Sequence, residues 1–165
     1  MATTSSIRFV YVNDDDPSNF IKVPLASSST VAKGDLVALS AWQTNTCAAV
    51  GAAQSELFAG VAYNYSTTEG EDIIICTDCV ISVYCASAIN HAGELLKYSA
   101  GGNGTKWQLT LCTNTEDGIA YALESLSAAG NTIALITKHK KNLTTGGNVA
   151  ATDPTGLWRI STSDA

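Results

Sequence analysis

The sequence is poor in charged residues and has none of the composition that builds long helices. Charged side chains make up 15% of its 165 residues, well below the roughly 25% of an average soluble domain. A coiled coil or a long helical bundle needs an abundance of Glu, Lys and Leu, so the composition excludes both. Hydrophobic residues make up 45% of the chain, and this share excludes intrinsic disorder.

Long apolar runs and a secretion signal are missing as well. No stretch approaches the roughly 20 apolar residues that a helical membrane span requires. The first six residues, Met1–Ser6, contain neither a basic nor a hydrophobic region, so we expect no signal peptide and synthesis in a cytosol. In that compartment the five Cys residues are expected to be free, buried thiols.

Positive charge is scarce except near the C-terminal end. The net charge is −6, which argues against a general nucleic-acid binder, because such proteins neutralise phosphates with a basic face. Residues 1–137 hold 13 acidic and 5 basic residues, whereas residues 138–165 hold 4 basic and 2 acidic ones. The last part of the chain therefore differs from the rest, and it carries an isolated apolar segment around Trp158.

The sequence does contain a series of short β-type runs separated by turn residues. Turn signals recur roughly every 8–12 residues, as in sandwiches and barrels. We predict an all-β protein with a small β-barrel or β-sandwich core at residues 23–137, an N-terminal arm at 1–22 and a C-terminal arm at 138–165. The clearest runs are Ile7–Val12, Phe20–Leu25, Leu36–Leu39, Ile73–Cys76, Val80–Tyr84, Lys106–Leu111 and Thr132–Ile136.

A Cys-x-x-Cys pair is the sharpest metal-like pattern in the chain. Cys76 and Cys79, together with Cys85 and His91 further on, could supply the four ligands of a zinc site. The spacing matches no standard zinc site, and Cys residues in strands are commonly small buried hydrophobes. We therefore expect buried thiols and no metal or other cofactor, and a small zinc-binding module remains an alternative.

Two further motifs and the His residues are better explained without a ligand or catalysis. Asp14–Asp16 precedes a proline and lacks the alternation of a calcium loop. Gly101–Lys106 leads into a β-run in the order Gly-Thr-Lys, whereas a phosphate-binding loop needs Gly-Lys-Ser/Thr before a helix. His91 and His139 stand apart from any nucleophile motif, so we predict no enzymatic activity.

Six short motifs follow one another through the middle of the chain. They are Ser29–Val37, Leu57–Ala62, Glu69–Ile75, Val80–Val83, Gly93–Tyr98 and Gly118–Glu124. In this order they resemble the small β-rich cement, or decoration, proteins of tailed-bacteriophage capsids. Leu36 and Cys79 depart from that family's pattern, at positions where Pro and Gly are frequent.

The resemblance implies a structural, non-enzymatic role on the outer surface of an assembled phage head, where such a protein binds the expanded shell. Its partners would be the major capsid protein and neighbouring copies of itself, as a dimer or trimer, with no nucleic acid and no membrane. We expect contact through strand addition at the first β-run or through anchoring by the C-terminal arm. The candidate contact residues are Phe9, Tyr11, Lys138, Lys140, Lys141, Trp158 and Arg159.

A glycan-binding β-sandwich displayed on a virion surface is the competing hypothesis from another class of protein. Such a site needs a surface cluster of aromatic side chains. Four residues of this sequence could form one: Trp42, Tyr63, Tyr65 and Trp107.

Overall fold

A computed structural model describes residues 7–39, 45–49, 58–100, 107–113 and 118–137. Within these ranges the one helical segment is a 3-10 turn at Pro17–Asn19, and the regular structure is otherwise β. The prediction of an all-β fold is confirmed. The strands are Arg8–Tyr11 (β1), Phe20–Pro24 (β2), Leu36–Leu39 (β3), Cys47–Ala49 (β4), Phe58–Ala62 (β5), Asp72–Cys76 (β6), Cys79–Cys85 (β7), Leu95–Ala100 (β8), Trp107–Leu111 (β9), Gly118–Ala122 (β10) and Gly130–Ile136 (β11).

Strands β7 to β11 form a closed unit, the C-terminal barrel, to which β1 is added. The sheet order is β1-β7-β11-β10-β8-β9, and a parallel pairing of Cys85 with Leu109 joins β9 back to β7. The amide of Ala86 donates to the carbonyl oxygen of Leu109 at 2.8 Å at the same place. Since β1 pairs with the first half of β7, it lies beside the barrel without entering the closure.

Strands β2 to β6 form a second unit, the N-terminal barrel, with the same topology. Its order is β2-β6-β5-β3-β4, and one parallel bridge between Leu25, just after β2, and Cys47 in β4 joins its two ends. Replacing each strand by the one five places later gives β7-β11-β10-β8-β9, which is the order of the C-terminal barrel. The described residues between positions 20 and 136 therefore form two tandem copies of one five-stranded unit.

The turns repeat along with the strand order. In each unit a glycine with a left-handed backbone precedes the second strand, with φ of 92° at Gly34 and 94° at Gly93. An L side chain rarely adopts this conformation, which is why glycine stands at both positions. The equivalent hydrogen bonds, of 2.7–3.0 Å, run from Gly34 N to Ala62 O and from Gly93 N to Ala122 O, and from Ala32 N to Asp35 Oδ2 and from Asn90 N to Glu94 Oε2.

The two barrels share one hydrophobic core. Its larger cluster combines Leu36, Val61 and Cys76 of the N-terminal barrel with side chains of the C-terminal barrel such as Ile81 and Ile119. A second cluster, which includes Leu25, Val37, Ile73 and Ile75, belongs to the N-terminal barrel alone. Burial alternates along β7 and along most of β11, as expected for strands with one face in the core. The shared cluster holds the two barrels against each other.

Thr132 is a buried polar residue in the C-terminal barrel. It corresponds to buried Ile73 of the N-terminal barrel, because the carbonyls of the following residues, Ile74 and Ile133, accept equivalent hydrogen bonds. Its hydroxyl is buried and has no hydrogen-bond partner among the described residues. We expect Thr132→Val to raise the free energy of unfolding by about 1 kcal/mol, because the variant buries no unsatisfied hydroxyl.

The matched control for Thr132 is a second buried threonine that is satisfied. The hydroxyl of Thr77 donates to the carbonyl oxygen of Asn19 at 3.1 Å and contacts Asp78 at 3.0 Å. Thr77→Val should lower the free energy of unfolding by about 1–2 kcal/mol. Urea unfolding of the three proteins measures both effects, and equal destabilisation by the two substitutions would contradict the assignment of Thr132.

Gly60 in β5 is required by a close approach of two strands. Its φ is 153°, and a Cβ atom there would lie 2.8 Å from Cγ2 of Ile75 and closer still to the carbonyl oxygen of Cys76. We expect Gly60→Ala to cost about 3 kcal/mol of stability through this overlap. Gly70 also has a positive φ, of 79°, but open space around it, so Gly70→Ala should cost only about 1 kcal/mol. Thermal and urea unfolding compare the two, and equal costs would refute the overlap.

Candidate interaction surface

Strand β1 contains a bulge that exposes two apolar side chains. It pairs with β7 at Arg8↔Ser82, Phe9↔Ile81 and Tyr11↔Val80. The register shift leaves Val10 as one extra residue, and such a bulge bends the strand and redirects its side chains. Val10 is 53% exposed and Tyr11 is 63% exposed, so adjacent residues of one strand both face solvent.

Phe9, directly before the bulge, lies on the other side of the strand and packs into an aromatic group. Its ring meets that of Tyr63 edge-on, with centroids 5.6 Å apart, and Tyr63 meets Phe20 in the same way at 5.4 Å. The ammonium of Lys33 lies 4.5 Å from the centre of the Tyr63 ring and 5.9 Å from that of Phe9. Edge-on ring pairs contribute about 0.5–1.5 kcal/mol each beyond their buried area. This group fastens β1 to the N-terminal barrel.

The acidic run Asp14–Asp16 supports the same attachment. The hydroxyl of Tyr63 donates to Oδ2 of Asp14 at 3.2 Å, and Asp16 accepts from the amide of Ser18 at 2.9 Å as the cap of the 3-10 turn. The negative charge of Asp14 is the main cause that raises the pKa of Tyr63. These hydrogen bonds explain Asp14 and Asp16 without a calcium ion. Among the described residues no group of three potential metal ligands occurs.

The last described residues, at the end of β11, lie close to the bulge of β1. Val80 of β7 pairs with Tyr11 on one side and with Leu135 on the other, which places Tyr11 and Leu135 about 10 Å apart across the sheet. Thr137 is tied to the start of β7 by a hydrogen bond of 3.1 Å from its hydroxyl to Oδ1 of Asp78. Thr137, the last described residue, thus lies at the same end of the barrel as Tyr11, and the basic segment follows it in the sequence.

Of the contact residues that the sequence predicts, Phe9 and Tyr11 are described, and they lie in different environments. Phe9 is a packing residue inside the aromatic group, whereas Tyr11 faces solvent. Val10 is the exposed residue that sequence reasoning missed, because strict alternation places it on the face opposite to Tyr11 and only the bulge exposes both. The others lie outside the described residues, and their role stays a prediction: Lys138, Lys140, Lys141, Trp158 and Arg159. The division into an N-terminal arm at 1–22, a core at 23–137 and a C-terminal arm at 138–165 also stays a prediction.

The zinc hypothesis is wrong for the described part of the chain. Cys76 and Cys79 contact each other, but Cys85 lies at the far end of β7, about 20 Å along an extended strand from Cys79. His91 lies on an exposed turn with its Nε2 3.7 Å from Oε1 of Glu94. The four proposed ligands are therefore not gathered around one point, because a seven-residue strand separates the third Cys from the first two.

The aromatic residues of the glycan hypothesis are only partly visible. Tyr63 is half-buried and packs edge-on against Phe9 and Phe20, with Lys33 over its ring, whereas Tyr65 is 64% exposed. Trp42 lies outside the described residues, and for Trp107 the backbone alone is described. Of the four candidate glycan-binding residues, Tyr65 is therefore the one whose described side chain is largely exposed.

Comparison with known proteins gives weak structural similarity and no family match. Neither the scan against protein-family models nor the search of curated proteins found a match. Among solved structures, the chain matches the head fibre gp8.5 N base of bacteriophage phi29 at 18% identity and a TM-score of 0.44, over 72% of this chain and 94% of that one. A match of this strength carries no conclusion about function. No helix among the described residues is long and apolar enough to cross a membrane.

The contact between Asp14 and Tyr63 can be tested by titration. We expect Asp14→Asn to lower the pKa of Tyr63, because the variant no longer places a negative charge beside the phenolate. The difference in ultraviolet absorbance between each protein and its Tyr63→Phe counterpart, followed with rising pH, isolates this one tyrosine. Asp15→Asn, which neutralises the adjacent exposed carboxylate, is the control. Equal shifts in the two variants would contradict the specific contact.

Proposed function

We propose that this chain is a structural protein of a bacteriophage head that binds the outer surface of the expanded shell and joins neighbouring major capsid subunits. The sequence motifs that resemble cement proteins support this proposal. Ser29–Val37 and Gly93–Tyr98 form the equivalent turn and strand of the two barrels, and Leu57–Ala62 and Gly118–Glu124 include the equivalent strands β5 and β10. Four of the six motifs thus include elements that are repeated between the two barrels.

The observation that carries the proposal is the exposed apolar pair on the bulge of β1. Val10 and Tyr11 are held on a strand that is paired on one side to β7 and fastened underneath through Phe9. Rigidly presented aromatic and aliphatic side chains lose little freedom when a partner covers them, and such residues dominate protein interfaces. A protein whose task is to join other subunits needs this kind of preformed contact.

A small protein with a modest contact area can be enough to stabilise a capsid. A ligand that binds only the expanded lattice stabilises that lattice by mass action. Each copy repeats its contact over a symmetric shell, and a copy that touches two subunits gains from effective concentration. A body of two barrels with a shared core can transmit load between two such contacts. The basic C-terminal segment, which follows Thr137 in the sequence, is proposed as the second contact.

The experiment is cosedimentation of the purified chain with expanded heads that lack it, with unexpanded procapsids as the control. The proposal expects saturable binding to the expanded heads alone, and the plateau gives the copy number. Absence of binding to either particle would overturn it. A glycan array run on the same preparation tests the competing hypothesis, which a blank array would exclude.

Because Phe9 is packed and Tyr11 is exposed, substitutions can remove the contact surface without removing the packing of β1. We expect the double variant Val10→Ser, Tyr11→Ser to weaken binding to expanded heads about tenfold or more, with a change in unfolding free energy of less than about 1 kcal/mol, because both side chains face solvent. Tyr65→Ser is the matched control, since Tyr65 is 64% exposed against 63% for Tyr11 but lies on the N-terminal barrel. Binding that is unchanged in the double variant would exclude this surface.

A further inference from the structure

The connection between the two barrels contains a pair of thiols that the proposed binding does not use. Cys76 is the last residue of β6 and Cys79 is the first residue of β7. Only Thr77 and Asp78 separate them, and these two residues form the whole link between the N-terminal and C-terminal barrels. A covalent bond between the two Cys residues would therefore close a small ring at the junction of the barrels.

The backbone brings the two thiols to the same short link. Sγ of Cys76 lies 3.2 Å from the carbonyl oxygen of Asp78, the residue directly before Cys79, and a hydrogen bond with Cys79 is the largest cause of the lowered pKa of Cys76. Both side chains belong to the core cluster shared by the barrels. Cys47 and Cys85 have other neighbours: Sγ of Cys47 contacts the carbonyl oxygen of Val23 at 3.5 Å, and Sγ of Cys85 lies 3.8 Å from Oγ of Ser87.

The hydrogen bond distinguishes the roles of the two thiols. It lowers the pKa of Cys76, whose sulfur accepts, and it raises the pKa of Cys79 together with burial. The thiolate is the reactive form of cysteine, so Cys76 is the better nucleophile of the two. Cys79 is placed to react with a modified Cys76, as a resolving thiol does.

We propose that Cys76 and Cys79 are a modification site, at which hydrogen peroxide converts the thiol pair into a disulfide that locks the junction of the two barrels. In the host cytoplasm the pair stays reduced, and a particle released from the cell meets an oxidising medium. This last step rests on the proposed function, whereas the chemistry of the pair does not.

The reaction balances with hydrogen peroxide as the oxidant. The Cys76 thiolate attacks one peroxide oxygen, the O–O bond breaks, and hydroxide leaves and takes up a proton to become water. Cys76 is then a sulfenic acid. The sulfur of Cys79 attacks the sulfur of Cys76, the S–O bond breaks, and the departing hydroxide takes the thiol proton of Cys79 as a second water. The two sulfur atoms together lose two electrons, which reduce one peroxide.

Both thiols are inaccessible in the closed fold. Cys76 and Cys79 are buried, and of the two link residues between them Thr77 is 8% exposed and Asp78 is half-buried. A two-residue link at a barrel end needs only a local opening to admit a molecule as small as peroxide. We therefore expect slow oxidation in the folded protein, and a ring of four residues that adds little loop-closure stabilisation.

The test uses the purified full chain, treated with hydrogen peroxide while folded and then alkylated in denaturant. The expected result is a peptide in which Cys76 and Cys79 have lost two hydrogen atoms and carry no alkyl group, and dithiothreitol restores both alkylation sites. Cys47→Ala should retain this product, and Cys79→Ala should lose it and leave Cys76 over-oxidised or unmodified. Alkylation of both thiols after treatment, or a product that joins Cys112 between chains instead, would overturn the proposal.

A second arm separates this inference from the proposed function. Phage particles and infected cells are alkylated directly and the state of the pair is compared. A disulfide in particles and free thiols in cells supports the proposal, and free thiols in both overturns its biological part. If the purified chain forms the disulfide but is missing from particles, the proposed function fails while the chemistry of the site stands.

Discussion

The arrangement of the molecule depends on the two-residue link between its barrels. Thr77 donates from its amide and its hydroxyl to the carbonyl oxygen of Asn19, at 2.8 and 3.1 Å, which fixes the link to the start of β2. Asp78 accepts from Thr137 at the end of β11. The link therefore ties the first strand of one barrel to the last strand of the other. Because it is so short, the barrels cannot separate without disrupting these bonds and the core cluster that they share.

The same constraint gives β1 its position and its exposed surface. With β7 anchored by the link, β1 adds to the free edge at the first half of β7 and is fastened to the N-terminal barrel through Phe9, Tyr63 and Lys33. A single extra residue in the pairing then exposes both Val10 and Tyr11. One irregularity of the backbone thus converts a structural strand into a candidate contact surface.

The repeat shows why sequence motifs were informative without revealing the architecture. Ser29–Val37 and Gly93–Tyr98 were recognisable as separate motifs, and the structure makes them the same element of two barrels. Between the copies, equivalent buried positions hold different side chains, such as Ile73 and Thr132, so the repeat leaves little sequence identity in the core. What must persist is the left-handed glycine and the carboxylate after it, Gly34 with Asp35 and Gly93 with Glu94. Two such positions are too few to signal a duplication in one sequence.

The sequence by itself determined the all-β class, the position of nearly every described strand and the buried state of most Cys residues. These features depend on local alternation and on turn residues, which act over a few positions of the chain. Only the tertiary structure decided that the strands close into two barrels, that Phe9 is packed while Tyr11 is exposed, and that Cys85 is far from Cys76. Each of these depends on pairing between residues distant in the chain, and a shift of one residue in such pairing changes which side chains face the core.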